Sequence, residues 1–161
     1  MSHVPFLYVN LAALVSYTFI LSAFLAAKKT KENKAFIRVL AGFIFWSGGS
    51  ILMRLRVYPG VDFWFYVSLL SLFCLPLLFF DFVYVFADMK GKFLKAVWTL
   101  GTCVILVLTA LGLFLEPPAV WILPDGKTFF TYDMGWQIAI PSAFVCGIVI
   151  SVAAIFYKLI K

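Results

Sequence analysis

Residues 63–87 read FWFYVSLLSLFCLPLLFFDFVYVFA, and this stretch decides the class of the protein. A helix needs about 20 apolar residues to cross the roughly 30 Å hydrocarbon core of a bilayer, and this stretch is longer than that. Asp81 is its only charged residue, and its apolar residues do not alternate with polar ones as in a membrane barrel strand. We therefore predict a membrane-spanning helix.

Four further stretches have the same character. The predicted spans are residues 6–27, 35–53, 63–87, 93–115 and 136–157. Hydrophobic residues make up 65% of the 161-residue chain and charged residues 12%, whereas a globular domain is nearer half apolar and a quarter charged. Because backbone in lipid must satisfy its own hydrogen bonds, the expected fold is an all-α membrane protein. Residues 1–161 then form one domain, a five-helix transmembrane bundle.

The basic residues predict the orientation of the bundle. Ten of the thirteen basic residues fall on one predicted side: Lys28, Lys29, Lys31, Lys34, Arg38, Lys90, Lys92, Lys95, Lys158 and Lys161. Short basic loops stay cytoplasmic, so we expect the N-terminus outside and the C-terminus inside, in a cell inner membrane. The net charge of +6 then needs no nucleic acid partner, since these side chains would contact anionic lipid headgroups.

The connection between spans 4 and 5 is the longest loop. We expect Pro117 and Pro118 to stop span 4, because proline cannot continue a helix. Two β-prone runs, residues 120–123 and 128–132, then flank the sequence PDGK at 124–127, which is typical of a hairpin turn. The predicted hairpin lies over the outer mouth of the bundle, either as a cover for helix ends or as a gate over a ligand cavity.

Asp81 is the most informative polar residue within a span. A lone carboxylate in lipid is costly and should face the bundle interior, either protonated or beside a cation. Arg54 lies at the opposite end of span 2, whereas Arg38 lies within a few ångströms of the depth of Asp81. We therefore predict an Asp81–Arg38 pair between spans 2 and 3, which acts as a packing contact or as a switch.

Two polar patterns accompany this pair. Ser71, Cys74, Asp81 and Asp88 are spaced so that they share one face of span 3. Residues 47–50, SGGS, are small and would let span 2 approach a neighbouring helix closely. Each pattern is compatible with helix packing or with the lining of a cavity.

The sequence lacks the residue patterns of catalysis. His3 is the only histidine, and the three cysteines, Cys74, Cys103 and Cys146, fall on three different spans. No metal-ligand spacing, phosphate-binding loop or dinucleotide fingerprint occurs. We expect no catalytic residues, no metal and no cofactor, so we do not expect an enzyme. Buried cysteines that act as small hydrophobic residues are the expectation.

Several segments together resemble a known family. Phe36 opens a helix containing WSGG at 46–49, span 3 contains FCLPLLFFDF at 73–82, and Phe129-Phe130 follow the Asp125-Gly126 turn. This pattern resembles the N-terminal seven-helix sensor region of bacterial histidine kinases and diguanylate cyclases. The chain departs from it in having five spans, KENK at 31–34 where Asn-Pro is frequent, and Asp81 where histidine is common. On this resemblance, we expect the chain to be either an excised sensor region that lacks two spans or a short homologue.

The resemblance implies signal input for a two-component system. A small lipophilic ligand or membrane cue would bind the outer half of the bundle, and helix shifts would reach a cytoplasmic signalling domain, with a homodimer as a further expectation. The residues proposed to line the ligand site are Trp46, Ser50, Arg54, Trp64, Ser71, Cys74, Phe129, Phe130, Gln137 and Ser142, with the two phenylalanines as lid. The alternative is a structural or assembly subunit bound to other membrane subunits, which the aromatic content of 19% favours.

Overall fold

The computed structural model describes residues 4–122, 128–133 and 135–160. Its helices are α1 Val4–Ala26, α2 Lys31–Arg54, α3 Val61–Phe86, α4 Phe93–Ala110 and α5 Ala139–Ile160. A short 3-10 turn, Trp136–Ile138, leads into α5. Five helices in the described part of the chain are long and apolar enough to cross a membrane. The predicted helical class is confirmed, whereas the orientation of the bundle stays a prediction.

Helix α2 begins earlier than the sequence pattern indicated. Its first residue is Lys31, because the Thr30 side chain caps the helix and accepts a hydrogen bond from the Asn33 backbone N–H at 3.2 Å. The cap satisfies an otherwise unpaired donor of the first turn. The charged first turn of α2 therefore extends the helix beyond its apolar part.

Helix α4 ends earlier than predicted, and for a different reason. The prediction that it runs to residue 115 and stops at Pro117-Pro118 is wrong, since α4 ends at Ala110. Gly112 adopts a left-handed conformation with φ of 74°, and the Leu113 N–H bonds the Leu108 carbonyl at 3.1 Å. This is a Schellman motif, which ends the helix with a residue in the left-handed conformation. Glycine adopts that conformation most easily, because it has no Cβ. The prolines lie in the extended segment that follows.

The predicted hairpin is present. Strands β1, Ala119–Ile122, and β2, Thr128–Thr131, pair antiparallel, with Val120 opposite Phe130 and Trp121 opposite Phe129. The predicted PDGK turn lies outside the described residues, as do His3 and Lys161. Since the hairpin follows α4 and precedes α5, it marks one end of the bundle, which we call the hairpin end.

The opposite end carries the lysines of the first turn of α2, the α3–α4 connection and the last turn of α5. The first turn of α4 adds Lys95, and Lys28 and Lys29 lie just before α2. We call this end the lysine-rich end, and its described lysines are Lys28, Lys29, Lys31, Lys34, Lys90, Lys92, Lys95 and Lys158. Helix α3 is central, because it packs against α2, α4 and α5. Among the described elements, α1 packs against α2 alone.

Two apolar clusters hold α3 in place, one at each end. The cluster at the lysine-rich end joins α3 to α5 and contains Phe80, Val83, Tyr84, Ile148, Val152 and Ile155. The cluster at the hairpin end joins α2 and α3 to the chain after α4 and contains Met53, Phe65, Leu69 and Leu115. Tyr132, just after β2, packs against this second cluster. The hairpin is thus attached to the bundle through the residue that follows its second strand, β2.

Candidate functional site

A cleft runs along α3 between α2 and α4. Both flanking helices pack against α3, but within the described residues their backbones do not approach each other closely. The polar stripe predicted for α3 follows this cleft, with Ser71 and Cys74 towards the hairpin end, Asp81 in the middle and Asp88 at the lysine-rich end. We call this groove the α2–α4 cleft.

A charged bridge crosses the middle of the cleft. Asp81 is buried, with 6% of its surface exposed. Lys95, in the first turn of α4, donates a hydrogen bond to Asp81 Oδ1. The Arg38 Nη1 atom, on α2, lies 2.8 Å from Asp81 Oδ2 and forms an ion pair without an aligned hydrogen bond. We call this arrangement the Arg38–Asp81–Lys95 bridge.

The two cations of the bridge differ from the carboxylate in exposure. The side chains of Arg38 and Lys95 are 54% and 44% exposed, whereas that of Asp81 is 8% exposed. Each cation is therefore partly exposed at the surface of the bundle. The buried carboxylate depends on the two cations to compensate its negative charge. Loss of both partners would leave a buried charge uncompensated, which is strongly destabilising. Because each partner is on a different helix, the bridge also sets the positions of α2 and α4 relative to α3.

On the hairpin side of the bridge, the cleft widens into an apolar compartment of about 520 Å³. Small-molecule sites commonly have volumes of about 300–1,000 Å³ and are lined mostly by apolar side chains. Arg38 forms the limit of this compartment towards the lysine-rich end. The other lining residues are Ala41, Gly42, Phe45, Leu70, Ser71, Cys74, Leu78, Leu106, Val107 and Ala110.

On the other side of the bridge lies a lysine-rich compartment of about 890 Å³. Its basic residues come from three segments: Lys31 from α2, Lys90 and Lys92 from the α3–α4 connection, and Lys95 from α4. Glu32 and Asp88 also line it. Its wall along α4 is largely apolar and consists of Ala96, Thr99, Leu100 and Cys103.

The structure brings two of the predicted ligand residues together in the apolar compartment, Ser71 and Cys74. Gln137 instead lines a smaller cavity of about 240 Å³ near the base of the hairpin, together with Glu116 and Asp133. Phe129 and Phe130, the predicted lid, lie in β2 and line neither compartment of the cleft. Among the described residues, no member of the hairpin lines the apolar compartment.

The other predicted ligand residues serve the packing at the hairpin end or lie apart from the cleft. The Trp64 Nε1–H donates to the Val57 carbonyl at 3.0 Å, and the Trp46 carbonyl accepts a hydrogen bond from the Ser68 hydroxyl at 3.2 Å. The Ser142 hydroxyl, on α5, donates to the carbonyl of Ile138 in the preceding 3-10 turn, 2.7 Å away. Ser50 and Arg54 are half-buried on α2 and line neither compartment. The predicted set therefore does not form a single site.

The Asp81–Arg38 contact has the geometry that the depth argument predicts, but sequence reasoning missed Lys95. The sequence pattern indicates only that Lys95 belongs to the basic side that sets orientation. Its position in the first turn of α4 offered a signal, because that turn starts at the same end of the bundle at which α3, with Asp81, finishes. The expectation of buried cysteines is also only partly met, since Cys74 is half-buried while Cys103 and Cys146 are exposed.

Comparisons with protein-family models, with curated proteins and with solved structures each find no match to this chain. The resemblance to seven-helix sensor regions therefore stays a prediction. In the described part of the chain, no group of three or more His, Cys, Asp and Glu side chains has the arrangement of a metal site. The cleft thus offers an apolar surface for a ligand next to the charges of the Arg38–Asp81–Lys95 bridge.

Proposed function

We propose that this protein is the input module of a membrane sensor or receptor. A small lipophilic molecule binds the apolar compartment of the α2–α4 cleft and changes the spacing of α2 and α4. One observation carries the proposal: Arg38 both lines the apolar compartment and belongs to the Arg38–Asp81–Lys95 bridge. A ligand in the compartment thus touches a residue that ties α2 to α3 and, through Asp81, to α4.

The coupling follows from differential binding. A ligand shifts a conformational equilibrium only by binding one state better than the other. A molecule that fills the compartment favours the state in which α2 and α4 stand at the separation it requires. The bridge transmits that separation to the lysine-rich end, because its two cations come from the helices on either side of the cleft.

The lysine-rich end faces the cytoplasm in this proposal, and the membrane is a bacterial inner membrane. Basic loops of short length are retained on the cytoplasmic side. A cytoplasmic signalling domain or partner subunit then reads the positions of the helix ends. A Lys29→Cys variant tests the orientation: a membrane-impermeant maleimide should label it only after the cells are permeabilised, and labelling in intact cells would reverse the assignment.

Native cysteines give a direct test of ligand binding. Cys74 lines the apolar compartment, whereas Cys146 is exposed on α5, away from the cleft. Two single-cysteine proteins, each with the other two cysteines changed to alanine, would be labelled with N-ethylmaleimide in the presence of 1-decanol or decanoic acid. At a probe concentration ten times its Kd, labelling of Cys74 should slow by about tenfold, since occupancy then excludes the reagent.

Cys146 provides the matched control for this experiment. Its labelling rate should stay the same, because it lies outside the cleft. Equal slowing of both cysteines would show that the probe only partitions into the detergent micelle. An unchanged Cys74 rate with every probe would contradict the proposed site.

The position of α1 favours a second candidate function, an assembly subunit. Helix α1 packs against α2 alone among the described elements, and Tyr8, Val15 and Phe19 on it are 64%, 62% and 77% exposed. Purification of the tagged chain in a mild detergent distinguishes the two functions. A second membrane protein recovered in constant proportion, together with an unprotected Cys74, would favour the assembly subunit.

A further inference from the structure

We infer that the lysine-rich compartment is a binding site for one anionic phospholipid, separate from the lipophilic molecule in the apolar compartment. Its charge is the first reason. Lys31, Lys90, Lys92 and Lys95 line it against two carboxylates, Glu32 and Asp88. The ligand therefore carries at least one negative charge.

The convergence of these lysines is the second reason. They reach the compartment from the start of α2, the α3–α4 connection and the start of α4, so no single helix face accounts for the cluster. A phosphate group accepts hydrogen bonds in several directions and suits lysine ammonium groups from separate segments. Lys90 and Lys92 are exposed and can turn towards such a group. The lysine cluster thus binds the headgroup.

The apolar wall along α4 selects a lipid rather than a free phosphate. Beyond Lys95, the wall continues through Ala96, Leu100 and Cys103 in the direction of the hairpin end. Leu100 is 69% exposed, so it offers apolar surface for an acyl chain. At about 890 Å³ the compartment is much larger than a phosphate ion requires. Headgroup and the first part of one chain therefore occupy it together.

Lys95 connects this site to the charged bridge. The same ammonium group lines the compartment and donates a hydrogen bond to Asp81. A phosphate bound beside it offers Lys95 a second anion. The lipid headgroup and Asp81 then share one cation, and the anionic lipid content of the membrane influences the strength of the bridge.

The test measures the thermal stability of the full chain in neutral detergent as phosphatidylglycerol or phosphatidylcholine is added. Phosphatidylglycerol should raise the melting temperature in a saturable way, and phosphatidylcholine should not. The Lys90→Gln/Lys92→Gln variant should bind phosphatidylglycerol about 30-fold more weakly, since each lysine near an anionic surface contributes a factor of about five. Both residues are exposed in a connection, so the variant should fold.

Lys28→Gln/Lys29→Gln is the matched control, because these exposed lysines lie at the same end but outside the compartment. The control should keep the affinity of the wild type. If both double variants lose the same affinity for phosphatidylglycerol, the lipid is held by diffuse attraction to the charged surface and not by a site. That result would overturn the inference. If soluble glycerol phosphate displaces phosphatidylglycerol at equal concentration, the site binds a free phosphate. That result would overturn the inference that its ligand is a lipid.

This experiment is independent of the proposed sensor function. It reports on the lysine-rich compartment, whereas labelling of Cys74 reports on the apolar compartment. Cys74 protection by decanol without an effect of phosphatidylglycerol would remove only the lipid site. The reverse result would remove only the lipophilic ligand.

Discussion

The two ends of the α2–α3 pair are held together in different ways. At the hairpin end the backbones come close, and a Cβ atom at Gly49 would lie 3.1 Å from the Ser68 nitrogen. Towards the lysine-rich end, Arg38 and Asp81 join the same helices through charge, beside an open cleft. Lipid is as apolar as the side chains, so helices in it associate through close packing and polar contacts. The two ends therefore differ in how α2 and α3 meet, by close backbone approach at the hairpin end and by charge together with ring packing, such as Phe36 against Phe82, at the other.

The largest effect should come from removing both cations of the bridge. The Arg38→Met/Lys95→Met variant leaves Asp81 buried without a partner, and we expect it to lose about 3 kcal/mol or more of unfolding free energy. Each single substitution should cost much less than half of this, because the other cation still compensates Asp81. Unfolding in a denaturing detergent, monitored by tryptophan fluorescence, measures all three variants.

The control for the bridge is Lys28→Met/Lys29→Met, which removes the same amount of charge at the same end. These exposed lysines should change stability by no more than about 0.5 kcal/mol. If the double bridge variant costs only the sum of two small single effects, the bridge does not hold α2 and α4 to α3. The contrast between the two ends would then be lost.

An intermediate effect should come from the close approach at the hairpin end. Gly49→Ala places a methyl group against the Ser68 backbone, which cannot move without separating α2 from α3, and we expect a loss of about 1–3 kcal/mol. The neighbouring Gly48→Ala is the control, because a Cβ there meets no atom within 4 Å. It should be neutral or stabilise by up to about 1 kcal/mol, since alanine favours a helix. Equal effects of the two substitutions would show that α2 and α3 do not meet at Gly49.

The smallest effect concerns the attachment of the hairpin through Tyr132. Burial raises the pKa of this phenol above its ordinary value of 10.0, although the positive charge of Arg54 partly opposes the shift. The unfolded chain therefore releases the proton first, so the stabilising contribution is complete below pH 10 and is lost as the pH rises through the folded pKa. We expect the wild type to lose about 2 °C or less of melting temperature relative to Tyr132→Phe above pH 10.

The comparison of wild type and Tyr132→Phe across pH 8–11, a range chosen around the phenol pKa of about 10, isolates this group from the lysines that titrate in the same range. A melting temperature that changes with pH in the same way for both proteins would mean that the phenol is not buried against the hairpin-end cluster. The hairpin would then rest on the bundle more loosely than the packing of Tyr132 beside Phe65 indicates.

Depth along the helices made part of the site predictable. The partner of Asp81 followed from counting residues from the helix ends, because helices of known rise place Arg38 at the right level. Depth alone does not single out Lys95, since a lysine near a loop also has an obvious role in setting orientation. The ligand residues were harder to predict. Ser71 and Cys74 line the cleft, whereas Trp64 and Ser142 bond to nearby backbone, and periodicity does not reveal which helix stands opposite.

The end of α4 shows a second limit. Pro117 and Pro118 are strong stop signals, yet the helix had already ended through the left-handed Gly112. Glycine is more frequent in membrane helices than in soluble ones, so a glycine in an apolar run does not by itself mark a helix end. Its conformation is set by the hydrogen bond from Leu113 to Leu108, which depends on where the following chain goes.

The sequence by itself determined that the chain consists of five long apolar helices with a hairpin between the last two, because run length, turn residues and hydropathy are local properties. It also determined that Asp81 has to be either protonated or paired with a cation, since an isolated carboxylate in an apolar span is costly. Only the tertiary structure decided that α2 and α4 stand apart on α3 and that the polar stripe of α3 follows the cleft between them. The physical reason is that helix neighbours depend on side-chain shape across distant segments, which no local pattern encodes.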